Sequence, residues 1–374
     1  MPADGGRAGA SGAWTWVFFG ALVAAFAAYC GGLLLLRRRA TAAAAVVAVA
    51  FVVQLVPLAA PPLLSTDAWT YWEYGAISAA GGDPYREPPS AHPSNPAYEH
   101  AGVAWRESTS VYGPVFTLLS EGVAHAVGDS ASAAAWSFKV LAALSLLALT
   151  GLAALLARER AFAAAFVGWN PLLAVHFAGG GHNDATMLAL VLGALALAGS
   201  GRRGWAALAW VLSIAVKWVS AVLFVLRAVE AQASRRPVAH LAFAAAAGAV
   251  AVAATLRYGL DWLRAFLPLT DNAGTRTAYA LPSRLEQLTG LPEPVVLGLA
   301  AAALLAGLLL LGRRARRGET YLGRTGLLLL AVTPYLTPWY AVWAVPLAAI
   351  ENDGRARLGA LALCAYLLPQ TVPL

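Results

Sequence analysis

Charge is what this chain most lacks. Only 12% of its 374 residues are Asp, Glu, Lys or Arg, whereas a soluble domain carries about 25%. With 60% hydrophobic residues and a mean hydropathy of +0.65, the composition excludes an ordinary soluble enzyme. Cysteine is nearly absent too. Cys30 and Cys364 both fall in apolar runs, so neither a disulfide framework nor a thiolate metal site is expected. No period of 20–50 residues recurs, which argues against a repeat array. The first residues, MPADGGRAGASG, are too weakly basic and too rich in Gly and Ala for a secretory signal peptide.

What is present is apolar length. Several stretches of roughly 17–25 residues carry no charge, enough to cross a bilayer core. The pattern predicts an all-α polytopic membrane protein with about 11–13 spanning or half-spanning helices. Spans are expected at Ala13–Leu36, Ala40–Leu64, Ala134–Ala157, Ala161–Ala178, Ala185–Ser200, Val238–Leu256, Val295–Leu311 and Leu322–Tyr335, with shorter ones at Ala341–Ile350 and Leu358–Leu374. The net charge of +7 sits mostly in short clusters: Arg37–Arg39, Arg202–Arg203, Arg235–Arg236 and GRRARR at Gly312–Arg317. Clusters of that kind mark cytoplasmic loops, so the charge implies no nucleic-acid partner.

Parity then orders the loops. With Arg37–Arg39 inside, the segment after Leu64 is extracytoplasmic, and Arg158 and Arg160 return the chain to the cytoplasm. Only one full span fits between, which leaves Gly113–Gly128 as a surface helix with Pro114 in its first turn. Thr117, Glu121 and His125 would form its polar side, opposite Val115, Phe116, Leu119, Val123 and Val127. The alternative is an ordinary short span. Trp205–Leu226 is basic on both flanks, so a broken or re-entrant hairpin with its tip near Lys217-Trp218 is expected. A single domain over 1–374 follows. Its external loops would be 65–112, GGGHNDA at Gly179–Ala185, 257–292, and TPWY at Thr337–Tyr340.

Nearly every unusual residue falls on that external side. The stretch from Asp67 to Tyr85, DAWTYWEYGAISAAGGDPY, places a carboxylate and an aromatic cluster at the lip of a span. A carboxylate at that depth is a functional candidate by default. The plainer reading is a helix cap by Ser65, Thr66 or Asp67, with the aromatics as an interfacial belt. GGDPY supplies a turn beyond which Tyr85 projects. HNDA sets His182, Asn183 and Asp184 at a helix start, where Asn183 reads best as a cap. Asp67 and Asp184 would act as base and orienting partner, or hold a divalent cation with His182. The spacing fits no specific metal motif, so no cofactor is expected. Lys217, inside LSIAVKWVSAVLFVL, reads as a cation facing a phosphate in a cavity rather than a snorkelling lysine. Lys139, Arg257, Arg264, Arg276 and Arg284 are further candidates for an anionic group, the last two because positive-inside bias disfavours arginine in an external loop.

DAWTYWEYGAISAAGGDPY, SVYGPVF, NPLLAVHFAGGGHNDA, the Lys217 helix and LTPWYAVWA occur in an order that resembles the polyprenyl-phosphate-mannose-dependent α-mannosyltransferases of the GT-C superfamily, close to glycosyltransferase family 87. The likeness runs from about Asp67 to Trp343. It implies a multi-span fold, an active site on the extracytoplasmic face of the plasma membrane, a polyprenyl-phosphate sugar donor, and a glycan or glycolipid acceptor. The family's catalytic carboxylate matches Asp67, and its second acidic position matches Asp184. Substrate-binding roles are expected for Tyr71, Glu73, Tyr85, Tyr112, His182, Asp184, Lys217, Arg276, Arg284, Trp339 and Tyr340. Two spans precede Asp67 here, whereas many relatives have one, and acceptor identity is left open. The rival class is a flippase of lipid-linked saccharides, whose polar residues would lie near the midplane of internally repeated halves. The concentration of polar aromatics at one face does not fit it.

Overall fold

The computed structural model describes residues 13–38, 41–62, 64–266 and 276–371. Expectations that touch Arg39, Ala40, the middle of the 257–292 loop and the last three residues lie outside these. Among the described residues the regular structure is helical throughout. In chain order the helices are α1 (Ala13–Arg38), α2 (Ala43–Leu55), α3 (Asp67–Ala79), α4 (Pro114–Val127), α5 (Ala131–Leu156), α6 (Arg160–Gly168), α7 (Pro171–Phe177) and α8 (Asp184–Gly199). There follow α9 (Arg203–Val216), α10 (Ser220–Ala233), α11 (His240–Tyr258), α12 (Leu281–Thr289), α13 (Glu293–Ala315), α14 (Leu322–Val332), α15 (Val345–Ile350) and α16 (Gly354–Leu367).

Four helices are long and apolar enough to cross a bilayer: Trp14–Arg38, Ala131–Leu156, His240–Tyr258 and Glu293–Ala315. The protein is an all-α polytopic membrane protein. Several expected spans are shorter or broken, and proline is the reason. The second gives way to a 3-10 turn at Val56–Ala59, which contains Pro57. The expected span Ala161–Ala178 divides at Asn170-Pro171, where the Asn170 side chain accepts from the backbone N–H groups of Leu172 and Leu173 and starts α7 afresh. Ala341–Ile350 divides likewise, into a 3-10 segment at Pro338–Trp343 and α15.

The segment that is basic on both flanks doubles back. Arg203 at the start of α9 and Glu230 near the end of α10 line one cavity, while Lys217, between the two helices, lines another with Asp67. Trp210 and Phe224, seven residues either side of Lys217, meet at 5.5 Å, and the hydroxyls of Ser213 and Ser220 lie 3.1 Å apart. The extended backbone of Lys217 (φ −155°, ψ 116°) ends α9. One of the carbonyls thus released, on Val216, accepts from the N–H of Gly113, as a helix end within apolar surroundings requires. Gly113 is needed for that approach, because a Cβ there would lie 2.1 Å from the Ala215 carbonyl oxygen.

The helix at 113–128 forms as α4, but its buried side differs from the expected one. Phe116, Thr117, Ser120 and Ala124 are buried, and the Thr117 hydroxyl accepts from Tyr85 at 2.8 Å. The small polar residues permit close packing on α3, so the valines occupy the flanks. Glu121 and Arg257 join α4 to α11 at 3.3 Å, and Arg257 also donates to the Ser78 carbonyl of α3.

Candidate active site

The site begins where the chain leaves α2. Leu64 takes a left-handed φ of 64°, a conformation that strains a residue bearing a Cβ, and Ser65 and Thr66 then lead into α3, which Asp67 heads. The Asp67 backbone N–H donates to the Ser65 hydroxyl at 3.0 Å. The carboxylate of Asp67 does not cap the helix. It accepts from His182 Nδ1 at 2.9 Å and from the Tyr71 hydroxyl at 3.2 Å. An ionised carboxylate can only accept, so the proton sits on Nδ1. Burial alone would raise this carboxyl's pKa; the adjacent imidazole and the Ser65 hydroxyl outweigh it and hold Asp67 below the usual carboxylate range. Asp67 is thus ionised at neutral pH.

The run of glycines before His182 makes the contact possible. Gly181 has φ +80°, and a Cβ on Gly180 would lie 2.5 Å from the His176 carbonyl oxygen. His182 folds back onto Asp67, and the Trp339 ring stacks on its imidazole at 3.8 Å and 12°. Asn183 occupies the cap position of α8 but makes no capping bond. Both its side-chain polar atoms are buried without a partner among the described residues, contrary to its expected role as a cap.

Asp184 heads α8 and is 1% exposed; it takes Lys217 Nζ at 2.7 Å. The indole N–H of Trp343 donates to the same oxygen, also at 2.7 Å. The ammonium lies 4.8 Å over the Tyr340 ring and 5.6 Å from that of Trp343, which stabilises a cation that water barely reaches. Two carboxylates therefore stand at one end of the bundle, each held by a nitrogen donor, Asp67 by His182 and Asp184 by Lys217, under a cover of tryptophan and tyrosine. Asp67 and Lys217 both open on a cavity of about 480 Å³ that Tyr112, Tyr335, Trp339 and Tyr340 also line. Its far wall is apolar, from Leu297, Ala300, Ala301 and Leu304 of α13. Among the described residues no group of three or more His, Cys, Asp or Glu side chains is arranged to hold a metal.

Of the expected residues, Asp67, Tyr112, Lys217, Trp339 and Tyr340 line the cavity, while Tyr71, His182 and Asp184 bond those that do. Four others lie elsewhere. Tyr85 is a buried pin, donating to Thr117 and to the Tyr112 carbonyl. Glu73 is buried on α3, accepts from Asn95 at 3.2 Å, and is pushed by burial up to about 7 against the opposing pull of Asn95. Arg276 pairs with Glu286 and Glu293. Arg284 donates to Gln287 and lies over Tyr279. Lys139 is likewise structural: its ammonium donates to the carbonyls of Leu58 and Ala60 and fastens the 3-10 turn that follows α2. Trp105, Tyr335 and Trp343 line the cavity as well, though nothing in the local sequence of Trp105 or Tyr335 assigns them a role. Trp343 had a usable signal, since it follows Trp339 by four residues.

Comparison with known proteins places this arrangement. The family description "Alpha-(1->6)-mannopyranosyltransferase, N-terminal domain" matches residues 5–234. The chain belongs to the alpha-(1->6)-mannopyranosyltransferase family. A second description, "MptB C-terminal domain", matches residues 279–373, so the two family matches together take in every cavity residue named above. The chain is 29% identical over 344 residues to alpha-(1->6)-mannopyranosyltransferase A of Mycobacterium tuberculosis, covering 83% of this chain and 66% of that protein. It is 25% identical over 355 residues to alpha-(1->6)-mannopyranosyltransferase B of Corynebacterium glutamicum, covering 80% and 58%. To the corresponding A protein of C. glutamicum it is 32% identical over 150 residues, 38% and 30% of the two chains. The chain thus spans less than two thirds of the length of these relatives. No solved structure matches it significantly.

Proposed function

We propose that this protein transfers a sugar, most simply mannose, from a polyprenyl phosphate to a hydroxyl of an extracytoplasmic glycan or glycolipid, with inversion at the anomeric carbon. The observation that carries the reading is the shared cavity: an ionised carboxylate and a largely covered cation open on one space with an apolar wall. Family membership supports mannose as the sugar.

In this mechanism the acceptor hydroxyl lies against Asp67. Its oxygen attacks the anomeric carbon as the bond from that carbon to the phosphate oxygen breaks, through an oxocarbenium-like transition state. The hydroxyl proton passes to Asp67. A carboxylate of low pKa serves because the hydroxyl becomes acidic only as the new bond forms. The His182 and Tyr71 bonds fix the carboxylate's direction. The departing polyprenyl phosphate gains a negative charge, which Lys217 stabilises from a site largely shut off from water. Aromatic rings at Tyr112, Trp339 and Tyr340 supply flat faces for the sugar, and the α13 wall accepts the prenyl chain. A single displacement turns a β-linked donor into an α-linked product.

The test is transfer from radiolabelled polyprenyl-phosphate mannose to short α-mannosides by the purified protein in lipid, with and without EDTA. Label in an extended oligosaccharide supports the reading, and the EDTA lane decides the need for a divalent cation. If neither mannose nor another polyprenyl-phosphate sugar is transferred, the reading fails and a flippase becomes the better account.

A further inference from the structure

The end of the bundle opposite the candidate site holds two large cavities with different electrostatics. One, of about 700 Å³, is lined by Arg203, Arg227, Arg236 and Glu230. There Glu230 faces both Arg227 and Arg236, so much of the charge is met internally. The other, of about 680 Å³, lies where the end of α1 and the starts of α2, α6 and α16 meet the end of α5. Arg37, Arg158, Arg160 and Arg357 line it against one carboxylate, Glu159, and four positive charges less one leave a net of three.

Glu159 is already committed, taking Arg357 at 2.7 Å. Arg37 and Arg357 both lie over the Phe162 ring, at 5.0 and 4.8 Å. Arg158 and Arg160 make no ion pair or hydrogen bond among the described residues. Because α1 and α5 are two of the four helices long and apolar enough to cross a bilayer, a cavity at their ends would stand at the level of the lipid headgroups. A basic pocket between spanning helices at that depth suits a headgroup phosphate, and guanidinium groups bind phosphate through two parallel hydrogen bonds.

We propose that this cavity binds the phosphate groups of an anionic phospholipid, and that it prefers a headgroup with two phosphates to one. The excess of three positive charges, in a volume larger than the sugar-sized cavity at the other end, is what favours the dianion. The chemistry recognised is a phosphate ester anion, which a free phosphate would share, so the test separates the two sources.

Purified protein in detergent is titrated with cardiolipin, phosphatidylglycerol, phosphatidylcholine and inorganic pyrophosphate, with bound species counted by native mass spectrometry. The expected order is cardiolipin, then phosphatidylglycerol, then phosphatidylcholine, and pyrophosphate at equal concentration does not displace bound cardiolipin. Arg37→Gln/Arg158→Gln/Arg160→Gln is expected to weaken cardiolipin binding at least tenfold. Arg313→Gln/Arg316→Gln/Arg317→Gln removes the same charge outside the cavity and is expected to bind as the parent does. Equal loss in both triple variants, no discrimination among the lipids, or ready displacement by pyrophosphate overturns the proposal. Should the first variant not purify as a single species, Arg158→Lys/Arg160→Lys keeps the charge and removes the paired bonds. A severalfold loss there supports the proposal, and unchanged affinity overturns it.

Discussion

The two ends of this helix bundle use charge in opposite ways. At the aromatic end, Asp67 and Asp184 each face a nitrogenous partner, His182 and Lys217, at 2.9 and 2.7 Å beneath stacked rings. At the basic end, Arg158 and Arg160 stand exposed with no partner among the described residues. A charge withdrawn from water costs several kcal/mol unless it is paired, whereas an exposed guanidinium costs little. The aromatic end therefore spends stability to hold fixed charges inside a cavity, which fits chemistry. The basic end keeps its charges ready for solvent or headgroups, which fits orientation and binding.

Breaking a pair at each end should show the largest difference. Asp184→Ala leaves the Lys217 ammonium nearly buried and unpaired, and is expected to destabilise the protein by about 3–5 kcal/mol. Arg160→Ala should change stability by less than about 0.5 kcal/mol. Thermal unfolding of both variants in the same lipid checks the contrast, and equal losses would remove it. Next in size is Lys217→Gln, which keeps a donor for Asp184 but removes the charge. Transfer is expected to fall about 100-fold in the mannose-transfer assay, and the unfolding temperature to fall as well, though less than in Asp184→Ala because the amide still donates to the Asp184 carboxylate.

Glu73 sharpens the comparison, since it is a buried carboxylate with no cationic partner among the described residues. Its pKa is raised to about 7 in the fold against about 4.3 unfolded. The folded state thus holds the proton more tightly, and stability from this group is present at low pH and lost as pH rises toward 7. Glu73→Gln should stabilise the protein by roughly 2 kcal/mol at pH 8 and hardly at all at pH 4, measured by unfolding at each pH. Asp67 runs the other way, because its lowered pKa adds stability above the ordinary carboxylate range that is lost only in stronger acid. At the aromatic end the smallest effect is expected from Trp343→Phe, which removes one indole donor to Asp184. A loss of about 1–2 kcal/mol in stability is expected, with a modest rise in KM.

Much of this was legible in the sequence, for reasons that can be named. Asp67 and Lys217 drew notice because a charge in an apolar run is costly and so needs a purpose. The doubling-back at Lys217 followed from basic residues on both flanks. What could not be read was pairing at a distance. His182 meets Asp67 across 115 residues of sequence, and no local pattern encodes that. Arg276 misled for the same reason: the external position expected for its loop suggested a ligand, but Glu286 and Glu293 fold back to meet it. Thr117 misled because a hydroxyl looks solvent-facing in a helical pattern until a buried partner such as Tyr85 is known.

The central claim is that Asp67 is the base, and Asp67→Asn tests it most directly. The amide keeps the shape and can still bond His182 and Tyr71, but cannot take a proton. Single-turnover transfer from radiolabelled polyprenyl-phosphate mannose is measured beside donor binding on the same protein. The account predicts donor affinity within about threefold of the parent and transfer reduced at least 100-fold. Transfer within tenfold of the parent, at unchanged donor affinity, would contradict it.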